Sequence, residues 1–256
     1  MSGVFYSKVR AVEEFPIGPD VRSIELSGYN GSIVWEPLNG QAPRVVAEKE
    51  VQGMSEKAVE KLLEEMRIEN SSSGQSLVLR AVHPKRTIGW FTLQVRFTVF
   101  APAEQIKEFR ARTSNGSIRV KTPVEGVLDL ASSNGQINLG AVVGQVNAQT
   151  SNARINFAKL ILTRPSTLIT SNAGIEGQLE LAGEGLYRIV TSNAGIRLRL
   201  PHSTRGSLQA ATSNGRVEAM LGEHQQVGGN TVVIKRGEGP HLEVKTSNSS
   251  ISLLGY

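Results

Sequence analysis

The triplet Thr191-Ser192-Asn193 recurs along this chain at a spacing that few folds can accept. Near-copies centre on Asn115, Asn134, Asn152, Asn172, Asn193, Asn214 and Asn248, and a worn copy, Tyr29-Asn30-Gly31-Ser32-Ile33, stands upstream. From Asn115 to Asn214 the successive steps are 19, 18, 20, 21 and 21 residues. Self-similarity at a fixed period marks a stacked repeat, and this period is too short for a pair of helices. It fits one coil of a β-solenoid, with a strand, a corner and a second strand in each repeat.

Alternation around each Asn supports strands. Four and six residues before it the positions are mostly apolar, as in Phe109/Ala111, Leu128/Leu130, Tyr187/Ile189 and Leu242/Val244. Three and five residues after it they are apolar again, as in Ile118/Val120, Ile137/Leu139, Ile155/Phe157 and Ile196/Leu198. Polar side chains such as Arg110, Arg112, Asn138, Asn156, Arg197 and Arg199 fall between. A period of two on both sides of a fixed turn means one strand entering a corner and one leaving it, both facing one interior. The Thr or Ser two residues before each Asn shares the parity of the apolar set.

The residue after Asn is Gly at 116, 135 and 215, Ala at 153, 173 and 194, and Ser at 249, so that position does not require positive φ. Asn tolerates the left-handed region and is the expected bend residue. The Ser before it is expected to bond to turn backbone. Corners stacked about 4.8 Å apart would let the Asn side chains form a ladder. A Ser repeated seven times without a His partner argues against a catalytic role. An ice-binding array needs paired outward Thr, which this parity does not provide.

The motifs TSNGSIRV, SSNGQINL, TSNARINF, TSNAGIEG, TSNAGIRL, TSNGRVEA and TSNSSISL resemble the bacterial family named putative adhesin (domain of unknown function 4097), over roughly residues 20–256. The resemblance implies a β-solenoid and an adhesin-like role at the cell surface. It implies no catalytic residues.

Composition narrows the function classes. Aromatics make up 5% of the chain and Gly 26 residues, which suits a slim core of Val, Ile and Leu. There is no Cys, hence no disulfide and no thiolate metal site. The only Asp residues are Asp20 and Asp129, against a calcium-binding β-roll or an Asp-lined pectinase-like cleft. No metal and no cofactor are expected. Residues Met1 to Arg10 lack a signal pattern and no apolar run reaches a membrane span. The sequence as written is therefore expected to be cytoplasmic, with a surface location if an anchor precedes it.

Two regions are expected: 1–105, the first coil plus a helix-bearing cap module, and 106–256, the repeated coils, in one continuous stack. Phe5, Val9, Val12 and Phe15 in the lead-in would cover the first coil, whose inward residues are Ile24, Leu26, Ile33 and Trp35. Met54 to Ile68 reads as a helix with Ser55 as N-cap and Val59, Leu62, Leu63 and Met66 on one face, packed over the open end. With the strand through Ile33 and Trp35 and strands at 44–51, 77–82 and 87–100 it makes a β-β-α-β-β cap module between Asn30 and Asn115. The 34-residue gap between Asn214 and Asn248 reads as a strand pair that finishes the sheet, with Tyr256 near the C-terminal edge.

The candidate binding residues are outward cations: Arg110, Arg112, Arg119 and Lys121 around one corner, and Arg188, Arg197 and Arg199 four coils on, roughly 19 Å away. They would form a strip for anionic polymers such as wall teichoic acid, lipid head groups or nucleic acid, unless they are only a solvated basic face that discourages strand-edge aggregation. The absence of interleaved aromatics counts against single-stranded nucleic acid. His83, His202, His224 and His241 have no metal-ligand spacing. The expected function is non-enzymatic: an adhesin-like interaction scaffold, or alternatively an intracellular scaffold that assembles end to end. A third alternative, a glycan-cleaving enzyme, rests on Glu176 and Glu218, two coils and roughly 10 Å apart on one sheet.

Overall fold

A computed structural model describes residues 7–84 and 89–256, and Phe5, Thr87 and Ile88 lie outside them. The described residues form 22 strands and a single helix, so the chain is all-β apart from that helix. Most strands form by the alternation above. Val217–Leu221, for instance, has the burial order in, half, in, out, in.

The strands make two hydrogen-bonded ladders. In chain order the strands that enter corners are β2 (Ser23–Ser27), β8 (Glu108–Thr113), β10 (Val124–Ser132), the second half of β11 (Ile137–Gln149), β13 (Thr167–Ile169), β15 (Leu186–Val190), β17 (Gly206–Thr212) and β21 (His241–Thr246). Those that leave are β3 (Ile33–Glu36), β9 (Ile118–Val120), the first half of β11, β12 (Ile155–Leu162), β14 (Ile175–Leu181), β16 (Ile196–Leu200), β18 (Val217–Leu221) and β22 (Ile251–Gly255). Neighbours in each ladder are parallel and, apart from a one-residue bulge where Phe157 and Lys159 face Gly177 and Gln178, in register, so equivalent positions stack. On the leaving side, Ile33, Ile118, Ile137, Ile155, Ile175, Ile196, Ile251 and Val217 form one buried column. The core lies between the ladders. Its two polar aromatics sit where a hydroxyl or N–H finds backbone: Trp35 donates to the Ala101 carbonyl (3.2 Å) and Tyr187 to that of Gly183 (2.8 Å).

The layer order departs from chain order at the C-terminal end. After β18 the chain reverses at Gly222 (φ 58°) into β19 (His224–Val227), antiparallel to β18. It then runs as β20 (Thr231–Arg236) antiparallel to β17. Gly237 and Gly239, both with positive φ, turn it back. The last strands, β21 and β22, insert between β15/β16 and β17/β18. Asn248 therefore stacks between Asn193 and Asn214. From Asn115 to Asn214 there are six steps rather than five, about 29 Å. Tyr256 follows an interior strand and is not at the edge of the stack. The edge belongs to β19 and β20.

At the other end the chain adds an antiparallel set. The first ten described residues form a strand, β1 (Ser7–Pro16), paired with β4 (Arg44–Gly53), which pairs in turn with β7 (Phe91–Phe100). Val9 and Phe15 pack on the core, but Val12 points outward and is 58% exposed, because its parity on β1 is opposite to theirs. The helix α1 (Glu56–Glu65) is shorter than the expected 54–68 and packs on β4 and β1. Ser55 caps it by accepting from the Ala58 N–H (3.4 Å), while Val59, Leu62 and Met66 are buried. The module runs β4-α1-β5-β6-β7, with β5 (Arg67–Asn70) and β6 (Ser76–Val82) both after the helix. β5 has no alternation (RIEN) that would mark it as a strand.

Candidate functional site

Each corner is held by two side chains with separate tasks. The Asn amides form one directional ladder. Asn115 donates to Asn30, Asn134 to Asn115, Asn152 to Asn134, Asn172 to Asn152 (each 2.6 Å), Asn193 to Asn172 and Asn248 to Asn193 (both 2.7 Å), and Asn214 to Asn248 (2.8 Å). Asn30 closes the series on the Leu93 carbonyl (3.1 Å). No described residue other than Gly has positive φ, so the bend is not made by Asn in the left-handed region. Where the residue after Asn is Gly, that position is tight: a Cβ on Gly135 would stand 1.7 Å from the Gly116 carbonyl oxygen.

The Ser expected to tie the turn contributes its backbone instead. The Ser133 carbonyl accepts from both Ser151 and Asn152 N–H groups (3.1 and 3.0 Å), and the pattern repeats at Ser151, Ser171 and Ser192. The hydroxyl work belongs to the buried Thr two residues before Asn. Thr170, Thr191, Thr246 and Thr212 donate to the carbonyls of Ala153, Ala173, Ala194 and Ser249 at 2.8–2.9 Å. Thr113, Ser132 and Thr150 do the same to Gly31, Gly116 and Gly135. This explains why a polar residue keeps the parity of the core: its hydroxyl satisfies a carbonyl of the next layer.

The outward cations divide between the two ladders. On the entering side, acids neutralise them. Arg110 bonds Glu108 (2.5 Å) and lies 3.8 Å from Glu25, Arg112 meets Asp129 (3.1 Å), and Arg188 meets Glu243 (2.8 Å). Lys245 also pairs with Glu243, and this bond, with the Arg188 contact, holds the carboxyl below its usual range despite partial burial. On the leaving side Lys121 is taken by Glu36 (2.6 Å), and Arg199 lies over the Tyr256 ring (5.7 Å). Arg119 and Arg197 face solvent without an acidic partner among the described residues.

Two further leaving-side arginines, Arg154 and Arg216, are likewise exposed and unpaired among the described residues. They occupy the position two after Asn. That column reads Ser117, Gln136, Arg154, Gly174, Gly195, Ser250, Arg216 in stacking order, so aligning the repeats on Asn would have exposed it. Where it reaches Gly174 and Gly195 the surface dips into a groove of about 240 Å³, lined by Arg154, Glu176, Arg197, Ser250 and Ser252 among others.

The paired-carboxylate alternative fails on distance. Glu176 aligns with Arg197, Arg197 with Ser252 and Ser252 with Glu218, three steps rather than two. That is about 14 Å, beyond the separation an inverting pair uses. Among the described residues no cluster of acids and His could hold a metal ion. His202 Nδ1 accepts from the Gly222 N–H (3.0 Å), and burial pushes His83 below its usual range. No helix among the described residues is long and apolar enough to cross a membrane.

No family model matches the chain, and no curated protein matches it. Solved structures that it is similar to include a putative adhesin from Bacteroides fragilis NCTC 9343, at 8% identity over 97% of this chain and 98% of that one, with a TM-score of 0.47. A putative adhesin from Parabacteroides distasonis ATCC 8503 shares 10% identity over 96% and 97%, with a TM-score of 0.42. A putative cell adhesion protein from Clostridium sporogenes ATCC 15579 shares 10% over 98% and 100%, with a TM-score of 0.34. These likenesses are too distant to define this chain's function, and the repeat's similarity to domain of unknown function 4097 remains a motif-level resemblance.

Proposed function

We propose that the chain is a β-solenoid of roughly 20-residue coils, one cooperative unit capped at its N-terminal end, acting as a non-enzymatic, adhesin-like scaffold. The observation that carries this reading is the leaving-strand face. It is a parallel, in-register surface that carries Arg119, Arg154, Arg197 and Arg216 without acidic partners among the described residues. Its partner class is an anionic polymer, drawn to fixed cations on a rigid support. Arg110, Arg112 and Arg188 on the entering side are spent on internal ion pairs and contribute less.

Heparin chromatography tests this reading. The protein is expected to be retained at low salt, to elute earlier as Arg119→Ser/Arg154→Ser/Arg197→Ser, and to change little as Arg110→Ser/Arg112→Ser. Absence of retention at low salt, or equal losses from both variants, refutes it.

A second reading, end-to-end self-association, is favoured by β19 and β20. Each has one strand partner, and Val227 and Val233 there are 59% and 51% exposed. Unpaired edges of this kind template pairing with another chain. Light scattering across a concentration series checks it, and a monomer at every concentration removes it.

A further inference from the structure

We propose that the trough over Gly174, Gly195 and Ser250 is a binding site for an acidic oligosaccharide, one whose sugar units each carry a carboxylate. The inference rests on the reading of the leaving-strand face as a surface for anionic partners, and it names the ligand and the place.

The trough exists because two successive layers lack a side chain two residues after the corner Asn. Gly174 and Gly195 form its floor. Neither has positive φ, so backbone conformation does not demand glycine here. Contact accounts for Gly174, where a Cβ would stand 2.9 Å from the Gly195 carbonyl oxygen, and only in part for Gly195, where it would stand 3.1 Å from that of Ser250. Other layers carry Arg, Gln or Ser in the same column. The floor runs along the stack, across the strands, so an occupant lies perpendicular to them and meets one layer after another about every 4.8 Å. A pyranose unit is about as long as one such step, so a linear glycan stays in phase with the layers.

The walls specify the chemistry. Arg154 stands on the layer before Gly174, and Arg197 lies two residues along from Gly195, so the two cations approach from diagonally opposed corners, two layers apart. A guanidinium binds a carboxylate through two parallel N–H donors. Two such groups offset by two layers match carboxylates on separate sugar units rather than one compact ion. Between them lies half-buried Glu176, whose carboxylate only accepts hydrogen bonds, so it repels phosphate and requires the carboxylate of the middle sugar to face away from the floor. A sugar supplies hydroxyl donors to it. Ser250 and Ser252 add hydroxyls that both donate and accept. The volume, about 240 Å³, is less than a drug-sized pocket needs and suits a shallow subsite on a longer polymer.

The test is calorimetric titration of the whole chain with trigalacturonate, its fully methyl-esterified form and inorganic phosphate. Trigalacturonate is expected to bind, and the ester and phosphate to bind at least tenfold more weakly. Arg154→Gln and Arg197→Gln should each weaken trigalacturonate about tenfold, since each removes a charge-assisted contact. Arg80→Gln, the same charge change at an exposed position of β6 outside the leaving-strand face, should leave it unchanged. Equal binding of the ester, stronger binding of phosphate, or an equal loss in Arg80→Gln overturns the site. So does the absence of trigalacturonate binding. Retention on heparin in any of these cases leaves the anionic-face reading standing, and loss of retention takes both down. Circular dichroism of each variant checks that the exposed substitution has not altered the fold.

Discussion

Thr170→Val separates the two corner devices and measures the hidden one. The substitution keeps the shape of the side chain and removes one hydroxyl. Thr170 is 1% exposed and donates to the Ala153 carbonyl at 2.9 Å. In the variant that carbonyl faces a methyl group. An acceptor deprived of its bond away from water costs about 1–3 kcal/mol, offset by roughly 0.8 kcal/mol for the added buried methyl. The net loss is roughly 0.2–2 kcal/mol, a fall in Tm of up to about 8 °C for a chain of this size. Asn172→Ala removes two bonds, to Asn152 (2.6 Å) and from Asn193 (2.7 Å), yet Asn172 is exposed and the freed amides turn to water. Its cost is about 1 kcal/mol or less. Urea unfolding followed by circular dichroism gives both numbers, and Thr170→Ser, which keeps the hydroxyl as Ser132 does natively, should recover most of the loss in Thr170→Val. If Asn172→Ala is the more destabilised of the pair, or Thr170→Val is neutral, the assignment of the buried hydroxyl as the main corner tie is wrong.

Three further outcomes follow from the contacts. Gly135→Ala puts a Cβ 1.7 Å from the Gly116 oxygen and should cost at least about 3 kcal/mol, whereas Gly18→Ala meets nothing within 4 Å and should stay within about 0.5 kcal/mol, both read from urea midpoints. Glu243 has its carboxyl held below 4.5 by Lys245 and Arg188, so it contributes stability above its unfolded pKa that is lost as pH falls through the lowered folded value. Glu243→Gln should therefore narrow the stability difference between pH 7 and about pH 3 in parallel thermal melts. Unfolding that stays equally acid-sensitive in that variant counts against the ion-pair assignment. Burial lowers His83, which adds a stabilising contribution above its ordinary value of 6.5 that fades as pH drops below it, and His83→Phe should flatten the stability profile near pH 6.

What could be read from the residues was local and periodic. Ile24, Leu26, Ile33 and Trp35 were placed inward by parity alone, and all are buried. Ser55 and the Val59/Leu62/Met66 face gave the helix. The neutralisation of Arg110 and Arg112 was also within reach, because Glu25, Arg110 and Asp129 share one column once the repeats are aligned. The Arg188–Glu243 pair was not, since it depends on which layer lies beside which. Thr-Ser-Asn corners are nearly interchangeable, so nothing local tells Asn193 to accept Asn248 (55 residues away) rather than Asn214. That choice is made by the turn at Gly222 and the return through Gly237 and Gly239, which are properties of the whole C-terminal segment. The same insertion sets Glu176 and Glu218 three layers apart rather than the two that chain order implies. Arg154 and Arg216 stand out only in the column two residues after Asn, because at a single corner each is an isolated cation.

The insertion of β21 and β22 bears on how the protein is made. Translation delivers β17 and β18 before the strands that separate them from β15 and β16. Until β21 and β22 emerge, the nascent chain can continue its earlier habit and set Asn214 against Asn193, a 21-residue step like the one before it. Such an early pairing has to open again for β21 and β22 to enter. Chain order and layer order therefore conflict at this one place, and the stack closes only when a later segment parts two earlier layers.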